Sequence, residues 1–410
     1  MSAIQVSSFQ PQAPARESLR IAFVCQNDFG APSEKQVLAF AQQLTALGHE
    51  VLIAIAGESR EGADGLAVHR YGFARGRLRG ADVRALRAFA PDLVHAWNSR
   101  VSTVAAAAAL CEATGAPLFV HFEDDEWRLP AIAPGEMLRR GPGHLARRTL
   151  SVVNPSVWWH STRRSRRYVA RRAVALDALT PVLADEVRRR MGRECRVVLP
   201  VTPSIPGSAE PPRLPAGAPT LLITGTIWPV YLPDFMLGFR AVAELQRRGR
   251  PVHLVHAGRV LPRWDPQRLA ARAGIAPGSA TFLGYLPYAV IPGLLREADV
   301  LLQPGPPTEF NRLRLPSKLQ AYLESGTPTI TFAVGFGELL EDRVEALKTY
   351  TADPCELADR IEEALDDEAL RARLRAGGPR AAARLFDPVA NTESLLAHYR
   401  EALAWRSALR

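Results

Sequence analysis

The fold of this chain is decided by residues 299–332, which read DVLLQPGPPTEFNRLRLPSKLQAYLESGTPTITF. The apolar run at residues 300–302 predicts a buried strand, and the polar loop after it leads to Pro316, where we expect a helix to begin. Gly326 ends that helix, and a second apolar run predicts the next strand. A strand that runs through a loop into a helix N-terminus presents free backbone amides and the positive end of a dipole. We therefore expect a phosphate-binding site around Lys318.

The length and composition of the chain predict two domains. The chain has 410 residues, 47% of them hydrophobic, whereas a single core usually stops growing at about 250 to 300 residues. Seven prolines lie between residues 199 and 219, and a segment so poor in backbone donors predicts a linker rather than a helix or a strand. We therefore expect a disordered N-terminus at residues 1–19 and a first domain at residues 20–199. A linker at residues 200–219 then leads to a second domain at residues 220–386.

Predicted strands and helices alternate through both domains. Short apolar runs such as residues 21–25 and 220–224 predict buried strands, and apolar residues at helical spacing follow them. This alternation is typical of parallel sheets built from right-handed crossover units, and it predicts two doubly wound α/β domains. Ligands bind outside the carboxyl ends of the strands in such sheets. The loops expected to face one interdomain cleft are those after residues 25, 97, 122, 224 and 303.

The net charge of +9 comes almost entirely from arginine, since only three of the 51 basic residues are lysines. Ten arginines lie within residues 139–172, together with Trp158 and Trp159. Basic and aromatic side chains together suit an anionic membrane surface, and a solvated helix face rich in arginine explains the same pattern. We expect contact with an anionic membrane surface and no binding of nucleic acid.

The chain shows no secretory signal, and no apolar run approaches the ~20 residues that span a bilayer. We therefore expect a cytoplasmic protein that can associate with the inner face of the membrane. The cysteines are widely separated and lack the spacing of metal ligands, so we expect free structural thiols. They are Cys25, Cys111, Cys195 and Cys355.

Several short motifs recur in a characteristic order. They are IAFVC at residues 21–25, GHEV at 48–51, PDLVHA at 91–96, GAPL at 115–118, Gly225, ADV at 298–300, and PSKL with YLESGTP at 316–328. In this order and spacing the chain resembles the nucleotide-sugar glycosyltransferases of the GT-B fold, most closely the large retaining group called family 4. The resemblance runs from about residue 20 to the C-terminus. It implies that a last helix within residues 387–410 packs back on the first domain.

The resemblance implies that the second domain binds a nucleoside-diphosphate sugar and that the first binds an acceptor with a hydroxyl group, which is a glycan, a lipid-linked molecule or a small molecule. The sugar is transferred in the cleft, in bacterial glycan, polysaccharide or glycoconjugate synthesis. No cofactor and no obligatory metal ion is expected. The predicted donor-binding residues are Gly225, Thr226, Gly258, Arg259, Asn311, Arg312, Arg314, Ser317, Lys318 and Leu319. The predicted acceptor-binding residues are Asn27, Phe29, Gly30, His95 and Asn98.

Three carboxylates are predicted to be catalytic. Glu123 and Asp124 follow the strand at residues 117–122, where a carboxylate deprotonates the acceptor hydroxyl if transfer inverts the sugar, or orients the substrates if transfer retains it. Glu309 lies in the loop before the phosphate-binding helix, within reach of sugar hydroxyls. A solvated loop or a helix cap explains each of the three equally simply.

The chain departs from the resemblance at four donor-site positions. Where the family has an arginine, a lysine and two glutamates, this sequence has Thr226, Tyr231, Leu313 and Ala321. The cations Arg312, Arg314 and Lys318 could supply the missing positive charge where a diphosphate departs. Two alternatives to a glycosyltransferase stay open: a non-catalytic GT-B protein that binds a glycan, nucleotide or partner protein, and a GT-B sugar-nucleotide epimerase.

Overall fold

The computed structural model describes residues 18–27, 29, 31–56, 63, 65–74, 77–124, 162–201, 209–303 and 305–408. Within these ranges the chain forms two separate parallel sheets with helices packed against them. The predicted fold class, two doubly wound α/β domains, is confirmed.

The first sheet contains seven parallel strands in the order β3-β2-β1-β6-β7-β8-β9. The strands are β1 (Arg20–Cys25), β2 (Glu50–Ile55), β3 (Ala67–Arg70), β6 (Leu93–Trp97), β7 (Leu118–Phe122), β8 (Ala173–Ala178) and β9 (Arg196–Val197). A short antiparallel pair, β4 (Phe73–Ala74) and β5 (Arg77–Leu78), lies outside this sheet. The described helices of this half are α1 (Pro32–Ala46), α2 (Gly80–Ala88), α3 (Val101–Thr114), α4 (Thr162–Arg172) and α5 (Pro181–Met191).

The second sheet contains six parallel strands in the order β12-β11-β10-β13-β14-β15. The strands are β10 (Thr220–Thr224), β11 (His253–Ala257), β12 (Ala280–Gly284), β13 (Val300–Leu302), β14 (Thr329–Phe332) and β15 (Leu347–Thr349). The helices are α6 (Leu232–Arg247), α7 (Pro266–Ala273), α8 (Ile291–Glu297), α9 (Glu309–Arg312), α10 (Leu319–Ser325), α11 (Pro354–Asp366), α12 (Glu368–Leu385) and α13 (Pro388–Ala408). Single turns of 3₁₀ helix lie at Tyr288–Val290 and Gly335–Leu339.

The last helix, α13, packs on the first domain. Its apolar residues Leu395, Leu396 and Tyr399 belong to the same buried cluster as Ile21 and Phe23 of β1. The C-terminal segment therefore crosses from the second domain to the core of the first. No helix in the described part of the chain combines the length and the apolar character that crossing a bilayer requires.

The stretch at residues 299–332 folds largely as its sequence predicts. Gly326 ends α10 with a φ of +73°, a conformation that glycine adopts without strain. The helix starts three residues later than expected, because Pro316 lies in a turn whose carbonyl accepts the amide of Leu319 at 2.9 Å. The loop before it also contains a helical turn, α9, capped by Thr308, whose hydroxyl accepts the amide of Asn311 at 3.2 Å.

Candidate functional site

Two glycines bring the loops after β10 and β11 into backbone contact. The amide of Gly225 donates to the carbonyl of Ala257 at 2.8 Å. A Cβ atom at Gly258 would lie 2.1 Å from the carbonyl oxygen of Gly225, so only glycine fits there. Burial lowers the pKa of His256 to about 4, and the Nε2 atom of this neutral ring lies 2.8 Å from the same oxygen. The loop after β10, which is expected to face a diphosphate, is therefore held in place by the loop after β11 and by His256.

The ammonium group of Lys318 lies directly against this loop. It donates to the carbonyl of Thr224 and lies 5.1 Å from the ring centroid of Phe235. Gly225 has a φ of +113°, and a Cβ atom there would lie 2.9 Å from Lys318 Nζ. Glycine at position 225 thus leaves the space that the lysine occupies.

The environment of Lys318 favours the neutral form of its amine. Burial, and then the nearby charge of Arg314, lower the pKa of Lys318 to about 7, while Asp234 opposes the shift. A partly buried lysine whose charge is not fully neutralised by nearby carboxylates is suited to binding an anionic ligand. The structure therefore brings Lys318, Gly225 and Arg314 together, and their contact with a phosphate stays a prediction.

Arg314 is held by a buried network centred on Asp234. Its guanidinium donates to Asp234 Oδ2 at 2.9 Å and to Asn311 Oδ1 at 2.6 Å. The side-chain amide nitrogen of Asn311, Nδ2, donates to Asp234 Oδ1 at 3.2 Å and to the carbonyl of Pro306 at 2.9 Å. Burial raises the pKa of Asp234, and Arg314 opposes this shift. Asn311 is 5% exposed with both ends of its side chain bonded, so its expected contact with the donor is wrong in this conformation.

Arg314 also lies over the residue that replaces the expected lysine. The guanidinium carbon is 4.7 Å from the ring centroid of Tyr231 and 5.2 Å from that of Phe310. Arg314, from the loop after β13, thus lies beside position 231, where the resemblance predicts a lysine. Sequence reasoning missed Asp234, although an acidic residue in the first turn of α6, after Pro233, was a usable signal.

The other predicted donor residues fall into three groups. Thr226, Arg259 and Ser317 are exposed, and Arg259 lies over the ring of Tyr285 at 4.6 Å. Arg312 turns away toward Glu309 at 3.3 Å and toward Glu186 of α5 at 3.7 Å. Leu319 is fully buried and its amide is used by Pro316, so its predicted contact with phosphate is wrong.

Exposed aromatic rings line the same edge of the second sheet and were missed by the sequence analysis. Trp228 follows β10 and is 38% exposed, and Tyr285 follows β12 and is 60% exposed. Both lie at the carboxyl ends of their strands, where ligands bind in parallel sheets. Their position shortly after the apolar runs that form β10 and β12 was the signal. Flat exposed rings beside a cationic loop can stack on a base or a sugar.

On the first domain, Glu123 lies at the end of β7 and is almost fully buried. Its carboxylate accepts from the hydroxyl of Ser33 and from Trp97 Nε1, the latter at 3.2 Å. Asp124 is partly buried, and its charge adds to burial in raising the pKa of Tyr231 on the second domain. Asp124 therefore interacts with a residue of the opposite domain.

A second buried carboxylate, Glu34, organises the loop after β1. It accepts the amides of Asn27 at 2.8 Å and of Gln26 at 3.3 Å, and also Asn27 Nδ2 at 3.3 Å. Burial raises the pKa of Glu34, and the two hydrogen bonds from Asn27 oppose the shift. Asn27 therefore supports Glu34, a residue that the sequence analysis did not single out.

Two predicted acceptor residues lie in the core instead. Phe29 is 1% exposed within the apolar cluster around β1, and His95 is fully buried, with its Nδ1 atom 2.7 Å from the hydroxyl of Tyr399. Their expected contact with an acceptor is wrong because their strands and loops turn these side chains inward. Asn98 is also buried, with a φ of +103°, and among the described residues its Nδ2 atom has no partner. Gly30 lies outside the described residues.

Most of the predicted membrane-binding segment also falls outside the described residues. Residues 139–161, with Trp158 and Trp159, are not among them, whereas α4 ends the segment at Arg172. The four cysteines are free, as predicted. Glu309 is exposed, and its carboxylate pairs with Arg312 at 3.3 Å.

Two family models match consecutive parts of the chain. Residues 33–202 match the model described as glycosyl transferase 4-like domain, and residues 218–367 match the model described as glycosyl transferases group 1. The first match covers β2 to β9, and the second covers all six strands of the second sheet.

One curated relative and many solved structures are similar to this chain. Alpha-D-kanosaminyltransferase of Streptomyces kanamyceticus is 27% identical over 162 residues, so the match spans 39% of this chain and only 40% of that protein. HepE of Anabaena, solved with UDP and glucose, is 15% identical with a TM-score of 0.66 over 93% of this chain and 100% of its own. A glycosyltransferase of Rickettsia africae is 12% identical with a TM-score of 0.68 over 95% and 99%. At these identities the solved structures show a shared fold.

Proposed function

We propose, from the premise that this chain belongs to the group 1 glycosyltransferases of the GT-B fold, that it transfers a sugar from a nucleoside diphosphate to a hydroxyl group. The observation that carries the proposal is Lys318, a partly buried ammonium group held against the glycine loop after β10. HepE, which shares the fold, was solved with UDP and with UDP-glucose. This supports a nucleoside-diphosphate sugar as the donor.

The proposed chemistry needs positive charge at the leaving group. Negative charge grows on the diphosphate as its bond to the sugar breaks, and a preorganised cation stabilises that charge. Lys318 supplies it, and Arg314 adds a second charge nearby, held in place by Asp234. With two cations at this junction, we propose that no metal ion takes part in the transfer.

The acceptor is proposed to bind to the first domain, opposite these cations. Asp124 is the first candidate to contact the acceptor hydroxyl, because its charge reaches Tyr231 across the two domains. Glu123 is almost fully buried and bonded to Ser33 and Trp97, so we propose that it positions the loop after β7. The acceptor classes are a glycan, a lipid-linked molecule and a small molecule, in bacterial glycan or glycoconjugate synthesis.

The test is incubation with a panel of uridine, guanosine, adenosine and thymidine diphosphate sugars, followed by mass spectrometry. We expect slow hydrolysis of one or two donors without acceptor and faster turnover when a suitable acceptor is added. Heat-denatured protein is the control. A folded protein that neither hydrolyses nor transfers any sugar, yet binds a glycan or partner protein, would indicate the non-catalytic alternative. Conversion of one sugar nucleotide into its epimer would indicate the epimerase.

We also propose that residues 139–172 bind an anionic membrane surface. The protein should then bind vesicles that contain anionic lipid, more weakly as salt rises, and should not bind neutral vesicles. In sedimentation assays Arg147→Glu with Arg148→Glu should weaken binding several-fold. The matched control is Arg268→Glu with Arg272→Glu on the exposed face of α7. Equal retention of both double variants would show that this segment is an ordinary solvated surface.

A further inference from the structure

Four ionisable side chains meet inside the first domain. His95, His121 and Asp177 lie on the neighbouring strands β6, β7 and β8, and all three are 0% exposed. His398 lies on α13, which packs on this domain, and is 7% exposed. We call these four residues the His–Asp cluster.

Asp177 is the centre of the His–Asp cluster. Its Oδ1 atom contacts Nδ1 of His121, with which Asp177 is paired in register between β7 and β8. Its Oδ2 atom lies 3.1 Å from Nε2 of His95 and 3.6 Å from Nε2 of His398. The carboxylate is therefore surrounded by three imidazole rings.

The contact between His121 Nδ1 and Asp177 Oδ1 is a hydrogen bond, but the contacts of Asp177 Oδ2 with His95 and His398 fall outside hydrogen-bond geometry. Among the described residues no partner is found for Asp177 Oδ2, His95 Nε2, His121 Nε2 and His398 Nε2. Buried polar atoms in native proteins are nearly always paired, and leaving one unpaired costs about 1–3 kcal/mol. A cation bound among the four atoms would satisfy them.

We propose that the His–Asp cluster binds one divalent transition metal ion, best matched by zinc. His95, His121 and Asp177 each offer a ligand atom, and these atoms lie within 4.8 Å of one another. Zinc bonds of about 2.0–2.2 Å in a tetrahedral site place ligand atoms roughly 3.3–3.5 Å apart. The separations of 3.1 Å and 3.6 Å around Asp177 Oδ2 are close to that value. Imidazole and carboxylate are also ligands that zinc prefers.

A second contact favours His95 as a ligand. Its Nδ1 atom lies 2.7 Å from the hydroxyl of Tyr399, which leaves Nε2 directed toward Asp177. In metal sites the second ring nitrogen of a histidine usually has such a partner, which fixes the ring. The tyrosine comes from α13, so the last helix contributes both a ligand in His398 and a support in Tyr399.

The proposed ion has a structural role. All its ligands are buried, so there is no open position for a substrate, as is usual for structural zinc. Because α13 follows α12 of the second domain, an ion shared by His398 and the first sheet fastens the crossing helix to the first domain. This role is independent of the transfer reaction, which is proposed to need no metal.

The first test measures metal in the full-length protein, purified without a polyhistidine tag, by inductively coupled plasma mass spectrometry. We expect about one zinc ion per chain, and a fall in Tm on the order of 5 °C after treatment with a chelator that zinc reverses. Substitution with Co²⁺ should give the visible absorption of a tetrahedral site. A zinc-free protein whose Tm responds to neither chelator nor zinc would overturn the proposal and leave a cluster held by shared protons.

The second test identifies the ligands. His398→Gln removes the ligand nearest the surface and is expected to weaken zinc binding by at least tenfold. The matched control is His253→Gln on β11, a histidine that bonds Thr281 Oγ1 at 2.8 Å and lies outside the cluster. Zinc bound equally by wild type and both variants would place the ion elsewhere and contradict the assignment. If His398→Gln does not fold, the chelation and readdition experiment on the wild type decides alone.

Discussion

Lys318→Ala is expected to lower kcat by about 10²- to 10³-fold, the usual loss when one preorganised group at a developing negative charge is removed. The loss in kcat should exceed the loss in donor affinity, because the contact strengthens as the diphosphate departs. The stabilisation that nucleoside diphosphates give to the wild type should largely disappear in the variant. Steady-state kinetics and thermal shift with a nucleoside diphosphate measure the two effects.

The control for Lys318→Ala is Lys348→Ala, which removes another buried lysine of the second domain, on β15. It should retain both turnover and the response to nucleoside diphosphates. If Lys318→Ala kept the wild-type thermal shift and rate, the phosphate role of Lys318 would be wrong. Equal damage in both variants would indicate a general effect of removing a lysine from the second domain.

The low pKa of Lys318 gives this prediction a pH dependence. In the folded protein the pKa is about 7 against the ordinary 10.5, so between these values the unfolded chain binds the extra proton. The ligand-free protein therefore gains stability from this group as pH rises from about 7 to 10.5 and loses it as pH falls over the same range. A bound diphosphate favours the protonated form, so its affinity should decrease by up to about tenfold per pH unit above 7. Calorimetric titrations of the wild type and of Lys318→Arg, which stays charged, should differ in this slope.

Arg314→Ala is expected to lower the free energy of unfolding by about 3–5 kcal/mol, because it leaves Asp234 buried without its partner. The pair is 10% and 7% exposed, and its atoms lie 2.9 Å apart. Urea denaturation measures the change. The deficit should shrink as pH falls, because an unpaired buried carboxyl group holds its proton more tightly in the folded state.

Two variants control for Arg314→Ala. Arg312→Ala breaks an ion pair with Glu309 whose side chains are 35% and 50% exposed, together with a 3.7 Å contact to Glu186. Glu186 keeps Arg189 and Arg190 as partners, so this variant should cost less than about 1 kcal/mol. Adding Asp234→Asn to Arg314→Ala removes the orphan charge and should recover a large part of the loss. A double variant as unstable as the single one would show that Arg314 stabilises through packing on Tyr231 rather than through Asp234.

Local sequence was sufficient to predict the elements around the site. The strand at residues 300–302 and the end of α10 at Gly326 depend on apolar runs and on one residue with positive φ. Both are local properties, so neighbouring residues determine them. The start of α10 was misplaced because Pro316 fits a turn as well as a first helical position.

The direction of side chains could not be predicted in the same way. His95 was expected at a strand end and Phe29 at the mouth of β1, yet His95 lies in the middle of β6 and both side chains are buried. In a doubly wound sheet the strands are covered on both faces, so the alternation that distinguishes an exposed face from a core face is lost. Asn311 turned inward for a related reason, since its partner Asp234 lies in another element.

The sequence alone therefore determined the two-domain α/β architecture and the cationic loop at Lys318, because periodicity, glycine, proline and net charge act over a few residues. Only the tertiary structure decided which charges meet. Asp234 and Arg314 are 80 residues apart, and His95 and Tyr399 are 304 residues apart. Such pairs form because parallel strands converge at one edge of a sheet and the last helix crosses between domains. No local sequence pattern predicts these contacts, since they depend on how whole helices and strands pack.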